Sequence, residues 1–129
     1  MANIQLGNLQ LAIMRVLWAD GEGTVTSVHQ ALHDSHGLAP TTIATMLKKM
    51  EAKGVVGHRT EGRRFIYAPT VTEPEVTHSM VADLAQRLFG GDVSALAAHL
   101  IDAHEVDGDE LDDLRRKIEA AQREEGSNE

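Results

Sequence analysis

Cysteine is missing from all 129 residues. Disulfides, thiolate nucleophiles and thiolate metal sites go with it, and a reducing, cytoplasmic setting is expected. Aromatic residues make up only 3%, too few for the stacking platforms on which single-stranded nucleic acid is held. No apolar run approaches the roughly 20 residues of a membrane-spanning helix. The opening MANIQLGNLQ shows no basic stretch followed by an apolar one, so no leader is expected either. A chain of this length suits one ordinary domain or two small ones, neither with core enough to enclose a deep cleft. A self-sufficient enzyme is not expected.

What is present is unevenly placed. The net charge is −8, yet residues 1 to 70 carry seven Lys/Arg against five Asp/Glu, and residues 71 to 129 carry five against fifteen. Six of the seven N-terminal bases fall between residues 48 and 64. Two regions with different tasks are implied, 1–70 and 71–129.

Apolar spacing gives the elements. Leu6, Leu9, Ile13, Val16 and Leu17 recur at intervals of three and four, which predicts a helix over 8–19 ended by ADGEG. A shorter helix follows, with Thr26 as its expected N-cap and Val28, Ala31 and Leu32 as its apolar stripe. In APTTIATMLKKMEAKG, Pro40 suits a first turn, Ile43, Met46, Leu47 and Met50 mark one buried face, and Gly54 suits a C-terminal cap. The face left outward holds Thr41, Thr42, Thr45, Lys48, Lys49 and Lys53. VVGHRTEGRRFIYAP reads as a hairpin turning at Glu61-Gly62, with Arg59, Arg63 and Arg64 crowding its tip. Thr72 and Glu75 form a capping-box pair that starts a helix running to Gly90-Gly91. Helices near 92–103 and from about Asp107 follow, and the tail AQREEGSNE is expected to fray.

The fold class expected is therefore mainly α with a small β-hairpin wing, an N-terminal winged helix-turn-helix plus a C-terminal helical dimerisation region. In such a motif the third helix enters the major groove and the hairpin touches the flanking backbone. Lysines there neutralise phosphates and short hydroxyl side chains reach base edges. The three C-terminal helices have too small a core to stand alone, so Val76, Met80, Leu84, Leu88, Leu96, Leu100 and Leu111 are expected to be buried partly between subunits.

The segments LGNLQLAIMRVLW, PTTIATMLKKMEAKGVV, EGRRFIYAP, RLFGGDVSALAAHLID and DELDDLRRKIE together resemble, in that order, the penicillinase-repressor (BlaI/MecI) family. The resemblance implies a cytoplasmic bacterial repressor with no catalytic residues and no cofactor, partnered by a double-stranded, dyad-symmetric DNA operator and by a second copy of itself, with no small-molecule substrate. It places Thr41, Thr42, Thr45, Lys48 and Lys49 on the recognition helix and Arg63, Arg64 and Tyr67 on the wing. It also implies relief of repression by proteolysis linked to a membrane sensor protease acting indirectly. Where β-lactam-responsive members are cut at an Asn-Phe bond, this chain has His99-Leu100. The Cys-x-Cys pairs of the copper-responsive branch have no counterpart.

Two other classes compete. A winged helix can serve as a protein-interaction module without sequence-specific DNA binding, but the polar face from Thr41 to Arg64 suits phosphates well and an apolar partner badly. His29 and His33, at i and i+4 with Asp34 and His36 near, have a spacing that can clamp zinc. Without an H-E-x-x-H pattern they read as a solvated face, as do His99 and His104, and no metal is expected. Trp18 and Met80 are expected in the core.

Overall fold

The computed structural model describes residues 3 to 103 and 106 to 127; His104 lies outside them. In chain order come α1 (Asn8–Asp20), α2 (Val25–His36), α3 (Pro40–Lys53), β1 (Val56–Glu61), β2 (Arg64–Pro69), α4 (Glu73–Phe89), α5 (Val93–Ala103) and α6 (Gly108–Ser127). The mainly α class with one hairpin is as the sequence predicts. Among the described residues no helix is long and apolar enough to cross a membrane.

Two compact units divide the chain, one reaching to Leu84 and the other starting at Ala85. The boundary thus falls inside α4, beyond the change of charge balance at residue 70. In the first unit, α1 contributes Ile13, Met14 and Leu17, α2 contributes Val28 and Leu32, and α3 contributes Ile43, Leu47 and Met50 to a single core. At about 1.5–3 kcal/mol for each large side chain removed from water, that core is the dominant favourable contribution to the unit's stability.

Local chemistry sets the element ends. Ala39 is extended at φ −71°, ψ 152°, as the residue before a proline must be, and Pro40 occupies a first-turn position where its missing N–H would have had no partner. Gly54 closes α3 at φ 84°, its N–H reaching the carbonyls of Met50 and Glu51. For α2 the N-cap is Thr24 rather than Thr26. Thr24 Oγ1 accepts from the Ser27 amide at 3.1 Å and Ser27 Oγ accepts from the Thr24 amide at 2.9 Å, a reciprocal box with serine in the place usually held by Glu or Gln. The reason lies one residue earlier. Gly23 exchanges two backbone hydrogen bonds with Tyr67, at 2.9 and 2.8 Å, so the chain is extended there and free to coil only after it.

The hairpin pairs Val56 with Pro69 through to Glu61 with Arg64, leaving Gly62-Arg63 as a two-residue turn. Gly62 takes φ 64° and Arg63 has no positive φ, the pattern of a type II′ turn. The expected box opens α4, Thr72 Oγ1 accepting from the Glu75 amide at 3.2 Å. Trp18 and Met80 pack against the core as expected, and the Trp18 indole N–H donates to the Val71 carbonyl at 2.9 Å.

The apolar residues assigned to subunit contact separate into two groups. Val76 is fully buried in the first unit's core and Met80 packs on it, so both are covered within one chain, where the start of α4 lies beside Leu11 and Trp18 of α1. Leu96 is buried in the second unit, whereas Leu84, Leu88, Leu100 and Leu111 are exposed. Val81, Val93, Ile101, Leu114 and Ile118 are exposed as well. Asp92 and Asp107 cap α5 and α6 through the amides of Ala95 (3.0 Å) and Glu110 (2.8 Å). Helix α6 continues to Ser127, carried past Ala120 by Ala121, Gln122, Arg123, Glu124 and Glu125, residues of high helix propensity.

The middle of α3 and its C-terminal cap make distinct demands. Leu47→Ala should destabilise the protein by about 2–5 kcal/mol through a cavity. Gly54→Ala should cost about 1–2 kcal/mol for its left-handed backbone, since a Cβ there meets no atom within 4 Å. Urea denaturation at one fixed protein concentration measures both; equal losses would contradict this assignment of causes.

Candidate nucleic-acid interface

With Ile43, Leu47 and Met50 turned inward, the helical period leaves Thr41, Thr45, Lys48 and Lys49 exposed and Thr42 half-buried on the other side of α3. The type II′ turn brings Arg63 and Arg64 to the wing's exposed tip. Between helix and wing lies a cleft of about 320 Å³ lined by Thr26, Ala44, Lys48, Arg63, Arg64 and Phe65, among others. Lys48, Lys49, Arg63 and Arg64 have no carboxylate partner among the described residues. Four uncompensated cations on one face form a field that attracts a polyanion.

Two bases of the same cluster are withdrawn from it. Lys53 turns its ammonium to the Gln5 carbonyl and to Gln10 Oε1, each at 2.8 Å, tying the end of α3 to the N-terminal segment. Arg59 donates to both oxygens of Glu22 and, at 3.3 Å, to Glu61. Those hydrogen bonds raise the Arg59 guanidinium further above its ordinary range, and the bond from Arg59 holds Glu22 below the usual carboxylate range. The sequence reading grouped Lys53 and Arg59 with the other bases because spacing alone does not show a partner 37 to 48 residues away.

Tyr67 lies on the wing strand β2 as expected, with its side chain turned inward. It is only 3% exposed and belongs to the core, and burial, then the nearby Glu51 charge, raises its phenol above the ordinary range. Phe65, two residues earlier, is 44% exposed. Its ring stacks on His58, centroids 4.2 Å apart and planes 23° apart. His58 Nδ1 in turn lies 2.7 and 2.8 Å from the two oxygens of Glu51 on α3. The sequence by itself does not mark Phe65, His58, Glu51 and Glu22, because their contacts join different elements; period-two alternation, which sets Phe65 and Tyr67 on one face of β2, is the available signal for Phe65.

The other candidate cluster does not grow into a site. His29 and His33 meet edge to face at 5.6 Å, and among the described residues no three His, Cys, Asp or Glu side chains are grouped to hold a metal ion. His99 packs near Phe89, rings 5.9 Å apart.

Comparison with known proteins places this geometry. The family model described as penicillinase repressor matches residues 6–120. The penicillinase repressor of Bacillus licheniformis is 25% identical over 115 residues, 89% of this chain and 90% of that protein. The transcriptional regulator BlaI of Mycobacterium tuberculosis is 35% identical over 116 residues, 88% of this chain and 83% of that one. Among solved structures, the monomeric form of Bacillus licheniformis BlaI in complex with the blaP half-operator is similar with a TM-score of 0.50 and 31% identity, over 57% of this chain and 90% of that one.

The four free cations and the threonines should behave differently on DNA. Alanine at Lys48, Lys49 or Arg64 should weaken binding to any duplex and flatten the salt dependence by about one unit of slope each, whereas Lys53→Ala should leave the slope unchanged. Thr42→Ala should weaken only the preferred sequence, by on the order of 1–3 kcal/mol. Anisotropy titrations across a salt series read both effects; a slope change for Lys53→Ala equal to that for Lys48→Ala would overturn the distinction.

Proposed function

Because the chain belongs to the penicillinase repressor family, and is a winged-helix transcriptional repressor of that family, we propose that it binds a dyad-symmetric operator as a cytoplasmic homodimer. The observation that carries this reading is the face on which Thr41, Thr42 and Thr45 lie with the unpaired Lys48, Lys49, Arg63 and Arg64. The recognition helix supplies α3 hydroxyls to base edges, and the cations flank them on phosphates. Tyr67 supports the wing from inside instead of touching DNA.

Dimerisation rests on the second unit's exposed apolar residues. Leu88 is 67% exposed and Ile118 58%, and Leu100, Ile101, Leu111 and Leu114 add to a surface that water opposes. A second copy of the chain covers it, and two-fold symmetry then presents two recognition helices to two half-sites. Holding them together makes the second binding event intramolecular, so affinity far exceeds that of one unit.

Two experiments test this. Selection from a randomised duplex library should return an inverted repeat, and sedimentation at micromolar concentration should show a dimer that Leu88→Asp dissociates; unrelated sequences together with a monomer that has no tendency to associate would contradict the proposal.

Relief of repression follows the same logic, since a cut in the second unit separates subunits without touching the DNA face. His99-Leu100, at the position matching the family's Asn-Phe bond, lies inside α5. A protease that binds an extended substrate must first open that helix, and imidazole lacks the carboxamide by which asparagine is selected. Release therefore comes through cleavage elsewhere in residues 92–106 or through another signal. Mass spectrometry of protein from β-lactam-treated host cells should find no fragment ending at His99, and such a fragment would refute this reading.

A further inference from the structure

Two carboxylates, Glu22 and Glu51, stand beside a surface otherwise shaped for an anion. On electrostatic grounds they are misplaced, because each opposes the approach of phosphates. Their contacts give another account. His58 and Arg59 are consecutive on β1 and so point to opposite faces of the hairpin. On one face, Glu51 of α3 holds His58 Nδ1 at 2.7 Å, and the imidazole carries Phe65 stacked upon it. On the other, Glu22, in the link between α1 and α2, accepts from both terminal nitrogens of Arg59. Gly23, next to Glu22, is bonded through its backbone to Tyr67 of β2.

We propose that the Glu51–His58 and Glu22–Arg59 pairs form a two-sided clamp that fixes the wing relative to the recognition helix, making Glu22 and Glu51 positioning residues for operator recognition. An exposed ion pair contributes little to overall stability, but a bidentate arginine–carboxylate contact fixes direction as well as distance. A two-stranded hairpin is marginal when left to itself. Arg63 and Arg64 at its tip reach their phosphates in register with the α3 threonines only if the hairpin's base does not swing. The clamp also keeps Arg59 away from DNA, so that the wing's attraction is concentrated at its tip.

The inference rests on the DNA-binding reading above and makes a prediction opposite in sign to that of charge alone. Removing a carboxylate near DNA should tighten all binding if charge is the whole story. With the clamp, Glu22→Ala and Glu51→Ala should each lower the ratio of affinities for the library-selected duplex and a scrambled duplex by about tenfold, the scale on which small misplacements act. Glu22→Ala should also steepen the salt dependence by up to about one unit, because Arg59, left with only the longer contact to Glu61, becomes available to a phosphate.

The exchanged pair Glu22→Arg with Arg59→Glu, made together with Glu61→Gln so that the new carboxylate does not face Glu61, keeps the contact between the two positions and should restore most of the ratio. Amide hydrogen exchange of the free protein supplies a readout without DNA: β1 and β2 should exchange faster in both alanine variants while α1 remains protected. A wild-type protein that does not prefer the selected duplex would remove the functional reading and the clamp's role together. A wild-type preference that both alanine variants retain, or that the exchanged pair fails to recover, would overturn the clamp alone.

Discussion

Burial of one face of α3 is the constraint on which the cationic surface depends. Ile43, Leu47 and Met50 recur at four and three residues and each is almost fully enclosed, so the helix has no rotational freedom about its axis. The side chains a third to half a turn away are then directed outward by geometry alone. Thr41, Thr45, Lys48 and Lys49 do not choose their direction; the core chooses it for them. The same core sets the wing, because Val55 and Val56, directly after Gly54, are buried against it. Recognition helix and hairpin are thus two outer surfaces of one packed interior, which is why a loss of packing would be felt as a loss of recognition.

That arrangement explains how so acidic a chain can present a basic face. Charge matters over about 8–10 Å at ordinary ionic strength, so a net value summed over 129 residues says little about one surface. Most of the acids lie beyond residue 70, and three of the five before it are paired with bases of the hairpin. Glu22 and Glu61 are on Arg59, and Glu51 is on His58. Pairing removes repulsive charges and one attractive one together, leaving the cations at 48, 49, 63 and 64 as what a polyanion meets.

Much of this was legible in the chain itself, and the failures have a common cause. Elements whose signals are local were readable: Pro40 and Gly54 around an i, i+3, i+4 stripe, Thr72 with Glu75, Gly90-Gly91 after a helix. Readings that needed a distant partner were not. Thr26 looked like a cap because the bridge from Gly23 to Tyr67, which delays the helix only to Val25, joins residues far apart in sequence. Lys53 and Arg59 looked like surface charges because Gln5, Gln10 and Glu22 come before the whole of α3. Tyr67 and Phe65 stand two apart on β2 and so share a face, yet alternation does not say which of two neighbours on that face meets the core.

The C-terminal leucines show where a single chain's structure stops being self-explanatory. Along α4, the apolar positions pass from Val76, fully enclosed, to Leu84 and Leu88, largely in water, without any change in their chemistry. A period-3.6 pattern records that a face is apolar and cannot record who covers it. Val76 and Met80 are covered by the chain itself. The remaining residues, with those of α5 and α6, are exposed at a density that a lone unit of this size would be expected to hide. In the proposed dimer they are the core of the assembly, and the stability of the second unit then becomes inseparable from protein concentration. Repressor level would thereby set both how much of the chain is fully packed and how much can hold two half-sites at once, and in that dimer a change that separates the subunits would lower DNA affinity without altering a residue of the DNA-binding face.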